Sequence, residues 1–533
     1  MIRTASIAVI ALALITTPAL AQSRPNAAKA EVMRGVEARA KQAQVINDQL
    51  FSYAELGFQE VETTRYLTEL LEKEGFAIRR AASGLPSGWT ATWTNGSGGP
   101  VIGIGSDIDG IPKASQTPGI PWRQPMVEGG PGHGEGHNSG QALDIVAVLA
   151  VKDWMVRTKT PGTLMLWPGV AEELLGGKAY FVRDGVFTGV DAVIFSHVDD
   201  QLRTFWGQPS GTGLVSVEYS FKGEAAHSAG APWRGKSALD GAMMMGTGWD
   251  MRREHIRPEH RSHYIISDGG DQPNVVPSQA KIWFYFREQG FDSIQKLFAM
   301  GNDIAEGAAK MTATSVTHRI LGSAAPQHYN RPIAEAAQAN IDAVGQPKWD
   351  ANDQAFAKAV QASIGATRKD GLNAKAGTLS PPLEEPRSGG SDDIGDVSWT
   401  VPTITIRYPS NIPGLPGHNW ANAIAMATPI AHKGVVAGAK VMAMTLVDLL
   451  TRPALLASAK TYFREVQTRD QQYVPMLKAD DTPATWLNAE AMARFKPELA
   501  KHYYDPARYP TYLDQLGIAW PTLTRPDPKP VAN

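Results

Sequence analysis

Apolar residues along this chain fall into two alternating periods. Residues 27–50 carry them at helical spacing, and so do residues 60–74, where Leu67, Leu70 and Leu71 share one face. Residues 89–93 and 101–104 are short apolar runs that predict strands. The second of these leads into Ser106-Asp107-Ile108-Asp109-Gly110. Residues 141–157 predict an apolar helix, and residues 163–167 a buried strand that delivers Ala171-Glu172-Glu173. A further strand over 190–195 ends at Ser196-His197. Strands alternating with helices predict an α/β sheet, with its polar residues gathered at strand ends.

The texture changes between residues 211 and 323. Alternating strands over 214–221 and 280–287 bracket helices near 236–253 and 291–310, which predicts an inserted α+β domain. The catalytic part is therefore expected in two pieces, 22–210 and 324–450, the second closing with a helix over 430–450. Residues 365–392 are rich in Gly, Pro and Ser and predict a long loop. Residues 451–533 are Pro-rich and polar, with several Trp and Tyr, and predict an extension wrapped over the surface.

Composition narrows the class. The chain has 533 residues, 43% hydrophobic and 20% charged, which suits a globular protein of two or three domains. A formal net charge of -2 gives no electrostatic footprint for nucleic acid or an anionic membrane. The N-terminus reads as a secretory signal over residues 1–21. Arg3 precedes an apolar stretch over 5–15, and Ala19-Leu20-Ala21 before Gln22 is a small-residue cleavage site. The expected location is periplasmic or secreted, and no later apolar run is expected to be long enough for a membrane helix. There is no cysteine, hence no disulfide and no thiolate metal ligand.

The densest chemistry lies in Pro131-Gly132-His133-Gly134-Glu135-Gly136-His137-Asn138-Ser139-Gly140. Imidazoles and a carboxylate alternate with glycines, which let a backbone turn tightly enough for side chains to converge on a divalent metal. A glycine-rich surface loop is the bland alternative. Glu172-Glu173 at a strand end suits one metal ligand beside one general base, although two solvated acids opening a helix would look the same. His197 ends a strand, His418 lies in Gly417-His418-Asn419-Trp420, and His227 lies in Ala225-Ala226-His227-Ser228-Ala229. Each of these three, taken alone, reads as an ordinary histidine.

Taken in order, these motifs resemble the aminoacylase/carboxypeptidase family of metallohydrolases, and within it the amidohydrolases related to the B subunit of aminobenzoyl-glutamate hydrolase. The similarity runs from Phe51 to Leu450. It includes Phe51-Ser52-Tyr53-Ala54-Glu55-Leu56-Gly57-Phe58, Gly223-Glu224-Ala225-Ala226-His227-Ser228, Asp268-Gly269-Gly270-Asp271-Gln272-Pro273-Asn274 and Gly395-Asp396-Val397-Ser398-Trp399.

The resemblance implies a zinc-peptidase-like catalytic domain with an inserted lid and dimerisation domain, and a homodimer acting on a small-molecule amide. It implies one or two divalent ions (Zn, Mn or Co) held by Glu135, His137, Glu173, His197 and His418. Glu172 would be the general base, and His227 the donor to the tetrahedral oxyanion, from its own chain or from a partner's. Asn274 and Asp109 would stand on the substrate side, Asp109 at the position that orients a ligating histidine, with Asp107 a weaker candidate. Lid arginines such as Arg287 would read a substrate carboxylate.

The chain departs from its relatives where they carry a metal-ligating Cys and it has Glu135. Three outcomes follow. Glu135 ligates or bridges as a hard oxygen donor, favouring manganese- or cobalt-like ions; it only approaches the site, leaving one metal; or the site is degraded, and the protein binds ligands without turnover. A serine hydrolase is disfavoured, since no Gly-x-Ser-x-Gly elbow is present.

Overall fold

The computed structural model describes residues 26–209, 211–382 and 389–525. The expected secretory segment, residues 1–21, lies outside them. Among the described residues, eleven strands form two sheets. In chain order they are β1 (Ala77–Arg80), β2 (Trp89–Asn95), β3 (Val101–Asp107), β4 (Gly162–Gly169), β5 (Ala192–Asp199), β6 (Arg203–Thr204), β7 (Gly213–Lys222), β8 (Arg261–Asp268), β9 (Gln279–Glu288), β10 (Ser315–Ala324) and β11 (Thr403–Pro409).

The larger sheet has seven strands in the order β1-β2-β4-β3-β5-β11-β6. Its centre is parallel: β3 pairs with β4 and β5, and β5 with β11. The carboxyl ends of β3, β4, β5 and β11 therefore lie along one edge. An open parallel sheet presents its site at that edge, because the loops leaving it can converge there. Parallel pairing needs crossovers, and the helix Gly140–Thr158 supplies the one from β3 to β4. It is apolar around most of its circumference because it is buried between the sheet and other helices.

Pro429–Thr451 corrects one expectation. It is 23 residues long, and an 18-residue window within it has a mean hydropathy of 1.5, so by length and composition alone it could cross a bilayer. Yet 83% of that window is buried inside the fold, so it is a core helix.

The smaller sheet is antiparallel, in the order β10-β7-β9-β8, with helices Ala238–Arg253 and Phe291–Met311 on one face. Along β9 burial alternates. Ala280, Ile282, Phe284 and Phe286 turn into the lid core, which leaves Trp283, Tyr285 and Arg287 on the other face. At the far end of β10, Ser323 N donates to Leu175 O at 2.9 Å, tying the lid to the turn that carries the two glutamates. A Cβ on Gly322 would meet that same carbonyl at 2.3 Å, so only glycine lets the strand come this close.

The extension after residue 451 crosses both domains. Arg319 of the lid donates to Thr482 O at 2.9 Å, Gln59 of the catalytic part donates to Thr485 O at 3.0 Å, and Asn488 donates to Gly57 O at 3.1 Å.

Candidate metal centre

The glycine loop and the Gly417–Asn419 turn meet backbone to backbone, with Asn419 N donating to Gly134 O at 3.2 Å. Gly134 makes that approach possible, because a Cβ there would lie 2.7 Å from Ile111 Cδ1 and 3.0 Å from Asn419 O. Gly136 has φ 122°, a conformation that L side chains rarely adopt, and a Cβ there would meet Met426 Sδ at 2.5 Å. His418 itself has φ 47°.

These contacts set Glu135 among three imidazoles. Its Oε2 lies 3.5 Å from His137 Nε2 and 3.0 Å from His418 Nε2, and its Oε1 lies 3.5 Å from His197 Nε2. Glu173 Oε2 is 3.5 Å from His418 Nε2, and Glu172 Oε2 is 3.9 Å from His137 Nε2. The five residues expected as ligands and the expected base are thus brought together from four separate strand ends. All of them except His137 line a cavity of about 300 Å³, together with Tyr285 and Arg287 of the lid.

Each inner histidine is oriented from behind. His137 Nδ1 lies 3.3 Å from Asp109 Oδ1, and His197 Nδ1 lies 2.8 Å from Val198 O. Donation from Nδ1 leaves the Nε2 lone pair facing the pocket, as a metal-ligating imidazole requires. Asp109 Oδ2 also accepts from Glu173 N at 3.1 Å, so one buried carboxylate sets both a histidine and the glutamate turn. Asp109 is 1% exposed and sits behind His137, away from the cavity, so the structure does not bring it to the substrate side where it was expected. His133 takes no part in the cluster: it is buried, with Nε2 3.1 Å from Leu50 O, and burial holds its pKa down at about 3.

The local electrostatics follow from this crowding. Burial, with the carboxylates of Asp107 and Asp392 beside it, pushes the Glu172 carboxyl well up, which strengthens it as a proton acceptor. Burial and Glu135 do the same to Glu173. Burial opposes ionisation of Glu135 as well, yet the His418 hydrogen bond and the charges of His137 and His197 hold it well below the usual carboxylate range. The bond to Glu135 lifts His418, whose side chain is 64% exposed at the mouth, to about 9.

The arrangement fits a divalent metal on its own terms. His137 Nε2 and Glu173 Oε1 are buried with no hydrogen-bond partner, and such orphaned atoms are costly unless something else ligates them. One atom each from Glu135, His137, Glu172 and Glu173 can be chosen within 4.8 Å of one another. A set of imidazole and carboxylate donors without thiolate suits zinc, manganese or cobalt.

The structure adds residues that the sequence did not single out. Lys178 is fully buried, with Nζ 2.6 Å from Asp107 and 3.5 Å from Asp392 and a close ion pair to Asp393. Asp107 is therefore the partner of a lysine behind the site. Arg407 on β11 stands in register with His197 on β5, with Nη1 2.6 Å from His197 Nδ1. A charge inside the apolar run Thr403–Pro409 was the visible sign of it.

The lid residues His227 and Asn274 are not brought in. Both are exposed; His227 Nδ1 accepts from Ala229 N and Gly230 N at 3.2 and 3.0 Å, and Ser228 N donates to Asn274 O at 3.0 Å. Among the described residues, neither side chain bonds to the cavity.

Comparison with known proteins gives this geometry a lineage. The peptidase dimerisation domain matches residues 211–313. The chain is 32% identical to the B subunit of p-aminobenzoyl-glutamate hydrolase from Escherichia coli (strain K12), over 83% of this chain and 96% of that one. It belongs to the M20 peptidase family. It is 26% identical to the Xaa-Arg dipeptidase of Homo sapiens over 82% of its length and 92% of the relative's. Among solved structures, an aminobenzoyl-glutamate utilization protein from Klebsiella pneumoniae shares the fold, with TM-score 0.54 at 15% identity, over 82% of this chain and 99% of that one. This M20 member is a hydrolase, with the dimerisation domain inserted in its catalytic domain.

Proposed function

We propose that this chain hydrolyses the amide bond of an N-acyl or N-aroyl amino acid, or of a small dipeptide, with the aid of one or two divalent metal ions. The observation that carries the reading is Glu172, buried at 3.9 Å from the orphaned Nε2 of His137, with Glu135 and Glu173 around it. Glu135, His137, Glu173, His197 and His418 would hold zinc, manganese or cobalt. Glu135 presents one oxygen to His197 and the other to His137 and His418, so it would be the central carboxylate of that donor set. Bound there, such ions lower the pKa of water and polarise a carbonyl.

Glu172 takes a proton from the attacking water as its oxygen bonds to the amide carbon. It then returns that proton to the amide nitrogen as the carbon–nitrogen bond breaks. Asp109 keeps His137 in the tautomer that points Nε2 inward. Arg287, across the cavity on the lid, receives the carboxylate of the amino-acid product. His227 and Asn274 reach the oxyanion and substrate from a second copy of the chain, consistent with their exposed position on a dimerisation domain. The basic and apolar N-terminus supports action in the periplasm.

The relatives fit this class. One is named for p-aminobenzoyl-glutamate and another for Xaa-Arg dipeptides, and both names describe an amide to an amino acid.

The test is elemental analysis of the mature protein together with a panel of N-acyl amino acids. Stoichiometric metal and turnover of at least one amide are expected. Stoichiometric metal with tight binding and no turnover would identify a binding protein instead. Glu135→Ala is expected to lower metal occupancy, and unchanged metal content would remove Glu135 from the ligand set.

A further inference from the structure

The chain enters the lid at the start of β7, Gly213, and leaves it at the end of β10, Ala324. These two crossings are neighbours, since Ala324 stands opposite Leu214 in the β7–β10 ladder. Two adjacent strands define one axis, and a domain held only there can turn about it. The bond from Ser323 N to Leu175 O lies beside that axis and has little leverage against rotation. A firm lid needs an attachment farther out.

The C-terminal extension supplies one, because residues 478–488 engage the two domains in turn. Arg183 of the catalytic part donates to Lys478 O at 3.2 Å and to Asp481 O at 2.5 Å. Arg319 of the lid then takes Thr482, donating to its carbonyl at 2.9 Å and to its hydroxyl at 2.7 Å. The same guanidinium lies 4.1 Å from the centre of the Trp486 ring. Gln59 of the catalytic part donates to Thr485 O and Leu487 O, both at 3.0 Å, and Asn488 donates to Gly57 O at 3.1 Å. Ala484, within the segment, is fully buried. Both ends of the segment are therefore held by the catalytic part, and its middle grips the lid. Arg319 lies about 16 Å from Ala324 along β10, at a strand rise of about 3.3 Å per residue, so the grip acts with a lever arm.

We propose that residues 478–488 are a strap that fixes the lid in the pose in which it helps to wall the cavity, and that the hold of Thr482 and Trp486 on Arg319 resists rotation about the β7–β10 crossing. Such a restraint is independent of the reaction at the metal centre.

Hydrogen exchange on the full-length mature protein reads the restraint, because the Ser323 amide reaches from the lid to the catalytic part. Arg319→Met removes the lid's hydrogen bonds to the strap, and Trp486→Leu, made separately, removes the ring. The grip lies at the surface, with Trp486 45% exposed, so neither change empties the core. In each variant Ser323 should exchange about tenfold faster or more, while the amides of the β7–β9 ladder inside the lid keep their wild-type rates. Arg319→Lys, which keeps a cation over the ring, should retain part of the protection.

Unchanged exchange at Ser323 in either variant would mean that the lid is fixed without the strap. Faster exchange spread evenly through the lid and the catalytic core would mean that the extension adds only general stability. Each of these results overturns the proposal. The measurement needs no substrate, so it judges the strap whether or not the amidohydrolase reading stands.

Discussion

His137 and His227 both sit in glycine-containing loops, and the fold treats them in opposite ways. His137 is 3% exposed, held from behind by Asp109 and faced by Glu135 and Glu172. His227 is exposed, and its ring is engaged only by the backbone of its own loop. The sheet edge builds one half of the site in advance, from strands whose register leaves little freedom. The lid loop contributes nothing to the cavity of a single chain. The role proposed for His227 would require its delivery by a second copy or by movement of the lid. The lesson is that burial with several partners fixes a residue's role within a chain, whereas an exposed residue acquires its role from what docks against it.

Substitutions can break that contrast at several points. The largest effect is expected at Glu172, where Glu172→Gln should remove about 10³-fold in kcat with metal content and substrate affinity retained. Near-normal turnover would take the base assignment away from the sheet edge altogether.

Lys178→Met strips the lysine partner from the buried carboxylates of Asp107 and Asp393, and should cost about 3–5 kcal/mol in denaturant unfolding. A loss below about 1 kcal/mol would mean that the rear of the site is not held by charge.

His227→Ala should lower kcat about 10²-fold while thermal stability and metal content stay at the wild-type level. Mixing copies of His227→Ala with copies of Glu172→Gln should regain activity if the loop acts on a partner's cavity. Failure to regain it would favour lid movement within one chain. The smallest effect belongs to Asp109→Asn, expected to weaken metal affinity about 10–100-fold through loss of the correct His137 tautomer. Unchanged metal affinity would mean that His137 is oriented by packing alone.

Much of the catalytic half was legible. The strands at 162–169 and 192–199 and the helix at 140–158 carry strong apolar runs because they are buried along most of their length. The strand expected to end before His197 runs on to Asp199 and includes it. β8 escaped notice because it is exposed on most positions, Ile265 at 58% included, so no alternation marks it. The single helix expected over 27–50 breaks into Ala27–Ala38 and Ala40–Tyr53 at Arg39, whose guanidinium turns back to Gly35 O at 3.2 Å. No residue pattern announced that bend.

The sequence by itself determined the donor types: imidazoles and carboxylates without a thiolate, and glycines where loops must close. Those are local properties, carried by residues a few positions apart. Only the tertiary structure decided that Glu135 faces all three imidazoles, that Asp107 answers to Lys178, and that His227 stands apart. The reason is distance along the chain. Arg407 meets His197 across 210 residues, and Asp393 meets Lys178 across 215. Contacts of that span depend on strand register and on which charges are left without partners, and neither is written in any short stretch of the chain.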